Sequence, residues 1–266
     1  MLDGFSADLS ESRIIAVKGP SGCGKTTLLS VAAGIVKPCK GRFVCDKKIS
    51  VMFQEPRLFP WLTARENITA VLHDRDKNSG YAERILESVG ISEFDKYPGQ
   101  LSGGMKQRVS FARALAYDGE LLLLDEPFAA IDAKVRKDLR AWLRHTISRL
   151  GVTSIFVTHD QEEAIEVADE IVVTNKGRSE QVGTPVEICM NPKTPFVAQF
   201  IGRGTIVSNI RAFSGFAHAP VGHAVVQPEF VHVFSCEEAS GQKKELLNPG
   251  VVQEVSFRGA LYELRI

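Results

Sequence analysis

Gly19-Pro20-Ser21-Gly22-Cys23-Gly24-Lys25-Thr26 decides the fold of this 266-residue chain. The stretch fits the pattern G-x-x-x-x-G-K-[ST], whose glycines let successive backbone amides close on phosphate oxygens. A helix beginning near Lys25 would add its positive end, the Lys25 ammonium would reach the β- and γ-phosphates, and the Thr26 hydroxyl would bind Mg²⁺. A Gly-rich turn before an ordinary helix would share this spelling. By chance, however, the pattern arises on the order of once in a hundred chains of this size. Here it also follows an apolar run, Ile14 to Val17, and opens a helical pattern, which is the context the motif requires.

Outward from the loop, short apolar runs alternate with helical stretches, the rhythm of an α/β fold with parallel strands and crossover helices. The strands are expected at Ile14 to Val17, Ile49 to Phe53, Leu121 to Leu124, Ser154 to Val157 and Ile171 to Val173. Leu121-Leu122-Leu123-Leu124 suits a strand buried on both faces, and two carboxylates, Asp125 and Glu126, follow it. Asp125 could hold Mg²⁺ and Glu126 could polarise an attacking water. An acidic helix cap after a core strand would explain the pair on its own. Gln54 and His159, each just past a strand, are equally ordinary when taken singly. Together they are not, because the C-terminal ends of parallel strands share one edge, where ligands of open α/β folds bind. That edge would collect a lysine, a glutamine, two carboxylates and a histidine, a layout suited to a nucleoside triphosphatase.

Leu101-Ser102-Gly103-Gly104-Met105-Lys106-Gln107-Arg108 reads as a Ser-Gly-Gly turn capping a helix that runs to about Ala116. A second helix is expected from Val135 to Leu150, where Val135, Leu139, Trp142, Leu143, Ile147 and Leu150 recur at helical spacing and would lie on the sheet. Its Arg136, Lys137, Arg140, Arg144 and Arg149 read as a solvated face. Cys39 and Cys45 fall in an expected β-hairpin and suit packing better than metal binding. The thiol of Cys23 in the phosphate loop could be reactive. His218 and His223 lie in a Gly/Pro-rich stretch and do not read as a metal site.

Lys and Arg number 32, as do Asp and Glu, for a formal net charge of zero, which argues against a long nucleic acid as partner. No run of about 18 consecutive apolar residues would span a bilayer. The first residues lack the pattern of a secretory signal. Five cysteines without a Cys-x-x-Cys pair suit a reducing, intracellular setting. After about Phe200, glycines and prolines interrupt short apolar stretches, so two domains are expected: 1–203, and a small β-rich unit at 204–266.

With these motifs in order, the chain resembles the nucleotide-binding subunits of ABC transporters. The resemblance covers roughly residues 2 to 203. It implies a P-loop NTPase domain of ABC type with a helical signature subdomain, and ATP and Mg²⁺ as ligands. The Walker A loop matches Gly19, Pro20, Ser21, Gly22, Cys23, Gly24, Lys25, Thr26 and the adjoining Thr27. The Q-loop glutamine matches Gln54, and the Walker B aspartate and catalytic glutamate match Asp125 and Glu126. The signature matches Leu101 to Met105, the D-loop Ala129-Ala130-Ile131-Asp132, and the switch histidine His159. By the same resemblance Thr26, Gln54 and Asp125 would bind Mg²⁺, and Glu126 and His159 would be catalytic.

In this family two domains dimerise head to tail, so Ser102, Gly103 and Gly104 would complete the partner's site. A separate integral membrane permease would face the segment Gln54 to Trp61, continuing to Glu66-Asn67-Ile68, a periplasmic or extracellular binding protein would act indirectly, and nucleic acid would not be a partner. The chain would sit peripherally on the cytoplasmic face of the membrane. Phe59 and Trp61 could instead fill the core of the helical subdomain.

Finer stretches are similar to sulfate/thiosulfate importer ATPases: Asp132 to Arg144, Val157 to Ala164, Glu180 to Pro185 and Pro195 to Gly202. Residues 54–61 look equally like those of nitrate and sulfonate or taurine importers, and the stretch after Gly204 resembles a TOBE-type accessory β domain found in oxyanion importers, molybdate among them. A non-transport ABC ATPase and a catalytically impaired regulatory module are the rival readings. Departures are also expected. The family's first strand and its adenine-stacking aromatic have no counterpart before Gly19, Phe5 lies too near the loop to replace it, 41–51 is short, and the accessory domain would be incomplete at Ile266.

Overall fold

The computed structural model describes residues 2–8, 14–72, 80–129, 133–202, 205–207, 211, 213, 218, 224–226, 254–257 and 262–265. The chain divides into two compact units, Met1–Val197 and Ala198–Ile266.

The first unit is built on a six-stranded sheet in the order β2-β3-β4-β1-β5-β6. Its strands are β1 (Ile14–Lys18), β2 (Ile49–Met52), β3 (Leu121–Asp125), β4 (Thr153–Thr158), β5 (Glu170–Asn175) and β6 (Arg178–Gly183). The first five run parallel, and β6 returns antiparallel along β5. β1, β3 and the middle of β5 are buried throughout, which fits their near-continuous runs of Ile, Val and Leu. Alternation along each strand divides the core between two faces. Ile15, Val17, Leu121, Leu123, Ile155, Val157 and Val172 form one face with Leu29 and Ala32 of α1 (Lys25–Ala32). Burying each such side chain contributes about 1.5–3 kcal/mol before the entropy of ordering it.

The other helices of this unit are α2 (Ala64–Thr69), α3 (Tyr81–Ser88), α4 (Gly103–Ala116), α5 (Ala133–Leu150), α6 (Gln161–Val167) and α7 (Pro185–Met190), with α8 (Pro195–Gly202) crossing its end. α2, α3 and α4 pack on one another, and α4 also reaches β2. α2 starts in a reciprocal cap, in which the Glu66 N–H donates to Thr63 Oγ1 and the Thr63 N–H donates to Glu66 Oε2.

Three sequence expectations change here. Three of the arginines of α5 are paired and do not simply form a solvated face. Arg136, Arg140 and Arg144 recur every four residues and turn toward α6. Arg136 pairs with Asp160, the nearly buried Arg140 pairs with Glu162 and Glu166, and Arg144 pairs with Asp169 and donates to the carbonyls ending α6. Lys137 and Arg149 are exposed, as expected. Leu150 is also exposed, beyond the buried stripe of Leu139, Leu143 and Ile147, because the helix ends as it leaves the core. The hairpin expected around Cys39 and Cys45 is absent, since 33–48 contains no strand. Phe43 and Val44 there are exposed, while Cys45 is partly buried against the sheet core, the packing expected of it.

In the second unit β7 (Thr205–Val207) pairs antiparallel with β8 (Ala224–Val226), and β9 (Glu254–Phe257) with β10 (Tyr262–Arg265). His223 lies outside the described residues. Among the described residues, no helix is long and apolar enough to cross a membrane.

Candidate functional site

The phosphate loop leaves β1 at Lys18 and enters α1 at Lys25. Gly24 takes φ +100°, a region that costs an L-residue strain, and a side chain on Gly19 would collide with Thr174. The Lys25 ammonium folds back across the loop and donates to the carbonyls of Gly19 at 2.8 Å and Pro20 at 3.0 Å. Ser21, Gly22, Thr26 and Thr27 are exposed, and Gly24 and Lys25 are partly so. Cys23 is buried, its sulfur 3.1 Å from Thr174 Oγ1, which withdraws the thiol from solvent.

Next to the loop, Thr26 Oγ1 donates to Asp125 Oδ1 at 3.4 Å. Burial raises the Asp125 carboxyl above its ordinary range, the neighbouring Glu126 charge adds to this, and Thr26, Lys25 and Arg57 oppose it. A hydroxyl and a desolvated carboxylate side by side form a hard-oxygen pair suited to Mg²⁺, which binds few protein ligands beside phosphate oxygens. The donor set therefore fits the ion.

Glu126 follows in a left-handed conformation, φ +47°, strained for a residue with a side chain. Its N–H donates to Val157 O at 3.1 Å, which fixes the turn against β4. Its carboxylate is engaged on both oxygens. Gln54 Nε2 donates to Oε2 at 2.9 Å, and His159 Nδ1 lies 3.3 Å from Oε1. β2, β3 and β4 are parallel neighbours, so their C-terminal ends bring Gln54, Glu126 and His159 together.

Ser102 caps α4 by accepting from the Met105 N–H, with Ser102 and Gly103 exposed and open space over Gly104. Among the described residues no hydrogen bond joins Ser102, Gly103 or Gly104 to the phosphate loop. Of the expected D-loop, Ala130, Ile131 and Asp132 lie outside the described residues. Phe59 and Trp61 stack as a tilted pair and are 41% and 69% exposed, so they are not the subdomain's core. Phe5 packs against the sheet core.

Three side chains that sequence reasoning left without a role hold this edge. Buried Gln107 of α4 donates to Gln54 O at 2.8 Å, and Arg113 donates to Pro56 O and Arg57 O. Asn67, fully buried, accepts from Phe59 N and donates to the carbonyls of Phe59, Leu62 and Thr63. A polar residue amid a helix's buried positions was the available signal.

The family described as ABC transporter matches residues 2–129. The sulfate/thiosulfate import ATP-binding protein CysA of Methylococcus capsulatus is 43% identical over 249 residues, 85% of this chain and 70% of that protein. The spermidine/putrescine import ATP-binding protein PotA of Bacillus cereus is 39% identical over 278 residues, 98% of this chain and 81% of that protein. The chain belongs to the ABC transporter family. CysA of Synechococcus elongatus is 50% identical over 212 residues, 74% of this chain and 62% of the relative. The chain thus spans less than two thirds of the length of several ABC relatives it matches. Among solved structures, the dimeric ABC transporter cassette MJ0796 has a TM-score of 0.61 at 27% identity, covering 69% of this chain and 90% of its own. This agrees with the P-loop α/β fold expected from the motifs.

Proposed function

We propose that this chain is the ATP-binding and ATP-hydrolysing subunit of an importer of sulfate or thiosulfate, working with a separate membrane permease. The observation that carries the catalytic half is the convergence of Gln54, Glu126 and His159 beside a phosphate loop backed by Thr26 and Asp125. The substrate half rests on relatives named for sulfate/thiosulfate import, which reach 50% identity.

In this reading the loop from Gly19 to Thr27, its turn closed by the Cys23 N–H donating to Pro20 O, cradles the triphosphate with its remaining amides. The Lys25 ammonium exchanges its loop carbonyls for phosphate oxygens. Thr26 and Asp125, with Gln54, would hold Mg²⁺, which when bound neutralises charge on the phosphates. Glu126 takes the proton of the attacking water. One of its oxygens must first be released, and Gln54 turning its Nε2 away from Oε2 does this. His159 keeps the other oxygen oriented. Ser102, Gly103 and Gly104 at the open start of α4 contact the nucleotide of a second copy in a head-to-tail dimer. The exposed Phe59 and Trp61 face the permease at the cytoplasmic membrane surface, a binding protein delivers the anion outside, and 204–266 forms an accessory β domain of TOBE type.

Complementation tests the reading. A strain lacking its own sulfate-import ATPase, supplied with this chain and the matching permease, should grow on sulfate, and a Lys25→Ala variant should not. Rescue of putrescine uptake instead would favour the second reading, a polyamine importer, which the 39% identity to PotA over nearly the whole chain supports.

A further inference from the structure

β1 carries a lysine where a central strand calls for an apolar residue. Ile14, Ile15, Ala16 and Val17 are fully buried, and Lys18, the last residue of the strand, is only 3% exposed. It is bracketed on both sides, opposite Thr158 of β4 and Val173 of β5. Ile15 and Val17 face α1, so by alternation Lys18 faces the opposite side, where α6 packs on β1. Desolvating an ammonium costs several kcal/mol, and an apolar side chain would fill such a position without that cost. The ammonium nevertheless reaches across the strand end and donates to the main-chain carbonyl of His159 at 3.3 Å. Its own carbonyl accepts from Thr174 Oγ1, which pins the lysine's backbone as well.

The turn that Lys18 grips is held from other directions too. Thr158 Oγ1 donates to the buried carboxylate of Glu163 and accepts from the Asp160 N–H. Asp160 caps α6 through the Glu162 N–H and pairs with Arg136. Those contacts secure the residues before and after His159, while Lys18 holds the His159 peptide itself. The imidazole is two-thirds exposed, with Glu126 Oε1 at 3.3 Å. Its aim therefore depends on where its backbone is fixed. The residue after Lys18 is Gly19, the first of the phosphate loop.

We propose that Lys18 is a positioning residue for His159, its buried ammonium setting the His159 peptide so that the imidazole meets Glu126, and that it ties this histidine to the phosphate loop. The inference rests on the ATPase reading of Glu126 and His159. Lys18 touches neither substrate nor reacting atoms in this scheme and acts through the histidine.

Lys18→Met, of similar length but without a donor, tests this in the full chain. The readouts are steady-state phosphate release from MgATP and the His159 signal in the ¹H–¹⁵N spectrum of histidine-labelled protein, assigned by its loss in His159→Ala. Lys18→Met should displace the His159 signal and lower kcat by about tenfold with KM within about twofold. The double variant Lys18→Met/His159→Ala should be no slower than His159→Ala alone. An unmoved His159 signal, a raised KM at unchanged kcat, or losses that multiply in the double variant would each overturn the proposal. If Lys18→Met does not fold, Lys18→Leu, likewise without a donor, is read on the same signal. A wild-type chain that hydrolyses no ATP sinks the ATPase reading alone, and the position of the His159 signal still decides whether Lys18 sets that residue.

Discussion

Glu126 Oε1 and His159 Nδ1 stand 3.3 Å apart across the ends of β3 and β4. The two residues lie just beyond strands whose register is fixed over five residue pairs, so their approach is a property of the sheet and not of a loose loop.

Replacing Glu126 with Gln leaves this geometry nearly intact and removes the carboxylate proposed as the base. Phosphate release should fall by about a hundredfold or more while nucleotide binding persists, and an ATP-bound dimer should accumulate on size exclusion. Ordinary turnover in the variant would take the base away from Glu126.

Glu163 predicts a pH dependence of stability. Burial lifts its carboxyl above the usual value near 4.5, the Thr158 hydroxyl and the Arg136 and Arg140 charges pull it down, and Asp160 pushes it up. A carboxyl raised in the folded state takes up a proton on folding, so its contribution is fully present below the unfolded value and is lost as pH rises through the folded one. Glu163→Gln keeps an acceptor for Thr158 and cannot ionise. Thermal melts from acid to neutral pH should show a shallower loss in the variant. Parallel curves would clear Glu163 of any part in the slope.

Asn67 makes four hydrogen bonds to the chain from Phe59 to Thr63. Asn67→Ala strands those backbone groups and should cost about 2–3 kcal/mol, read as a lower urea midpoint at unchanged slope. An unchanged midpoint would mean that the loop does not depend on this side chain.

Trp61 is 69% exposed and should contribute little to the fold. Trp61→Ala should shift unfolding by no more than about 0.5 kcal/mol yet weaken co-purification with the proposed permease, as loss of an aromatic anchor does. Undiminished co-purification would move the contact elsewhere.

Much of this candidate site was legible because each participant lies at or within two residues of a strand's end. Gln54, Asp125, Glu126 and His159 all fall where an apolar run stops, and run ends are visible in a sequence. Polar residues that work through their neighbours were not. The buried strand runs on to Lys18, one residue past the apolar stretch that marks it, so the lysine passes for the start of the loop. Arg136, Arg140 and Arg144 show a periodic face, but the carboxylates that cover it belong to α6 and the residues flanking it, more than twenty positions along the chain from Arg136. Periodicity gives the direction of a face and says nothing about what meets it. The expected hairpin around Cys39 and Cys45 is not formed, although Cys45 does pack against the sheet core.

The strand order has a consequence for synthesis. β1 ends where the phosphate loop begins, yet its two neighbours are β4 and β5, which finish at Thr158 and Asn175. On the ribosome the loop emerges and then waits for well over a hundred further residues before its strand is flanked. Such late, long-range closure is slow and leaves Ile14 to Val17 open to mispairing. A nascent chain should therefore resist protease and retain ATP only after β5 has cleared the exit tunnel, which makes nucleotide capture a late checkpoint of biosynthesis.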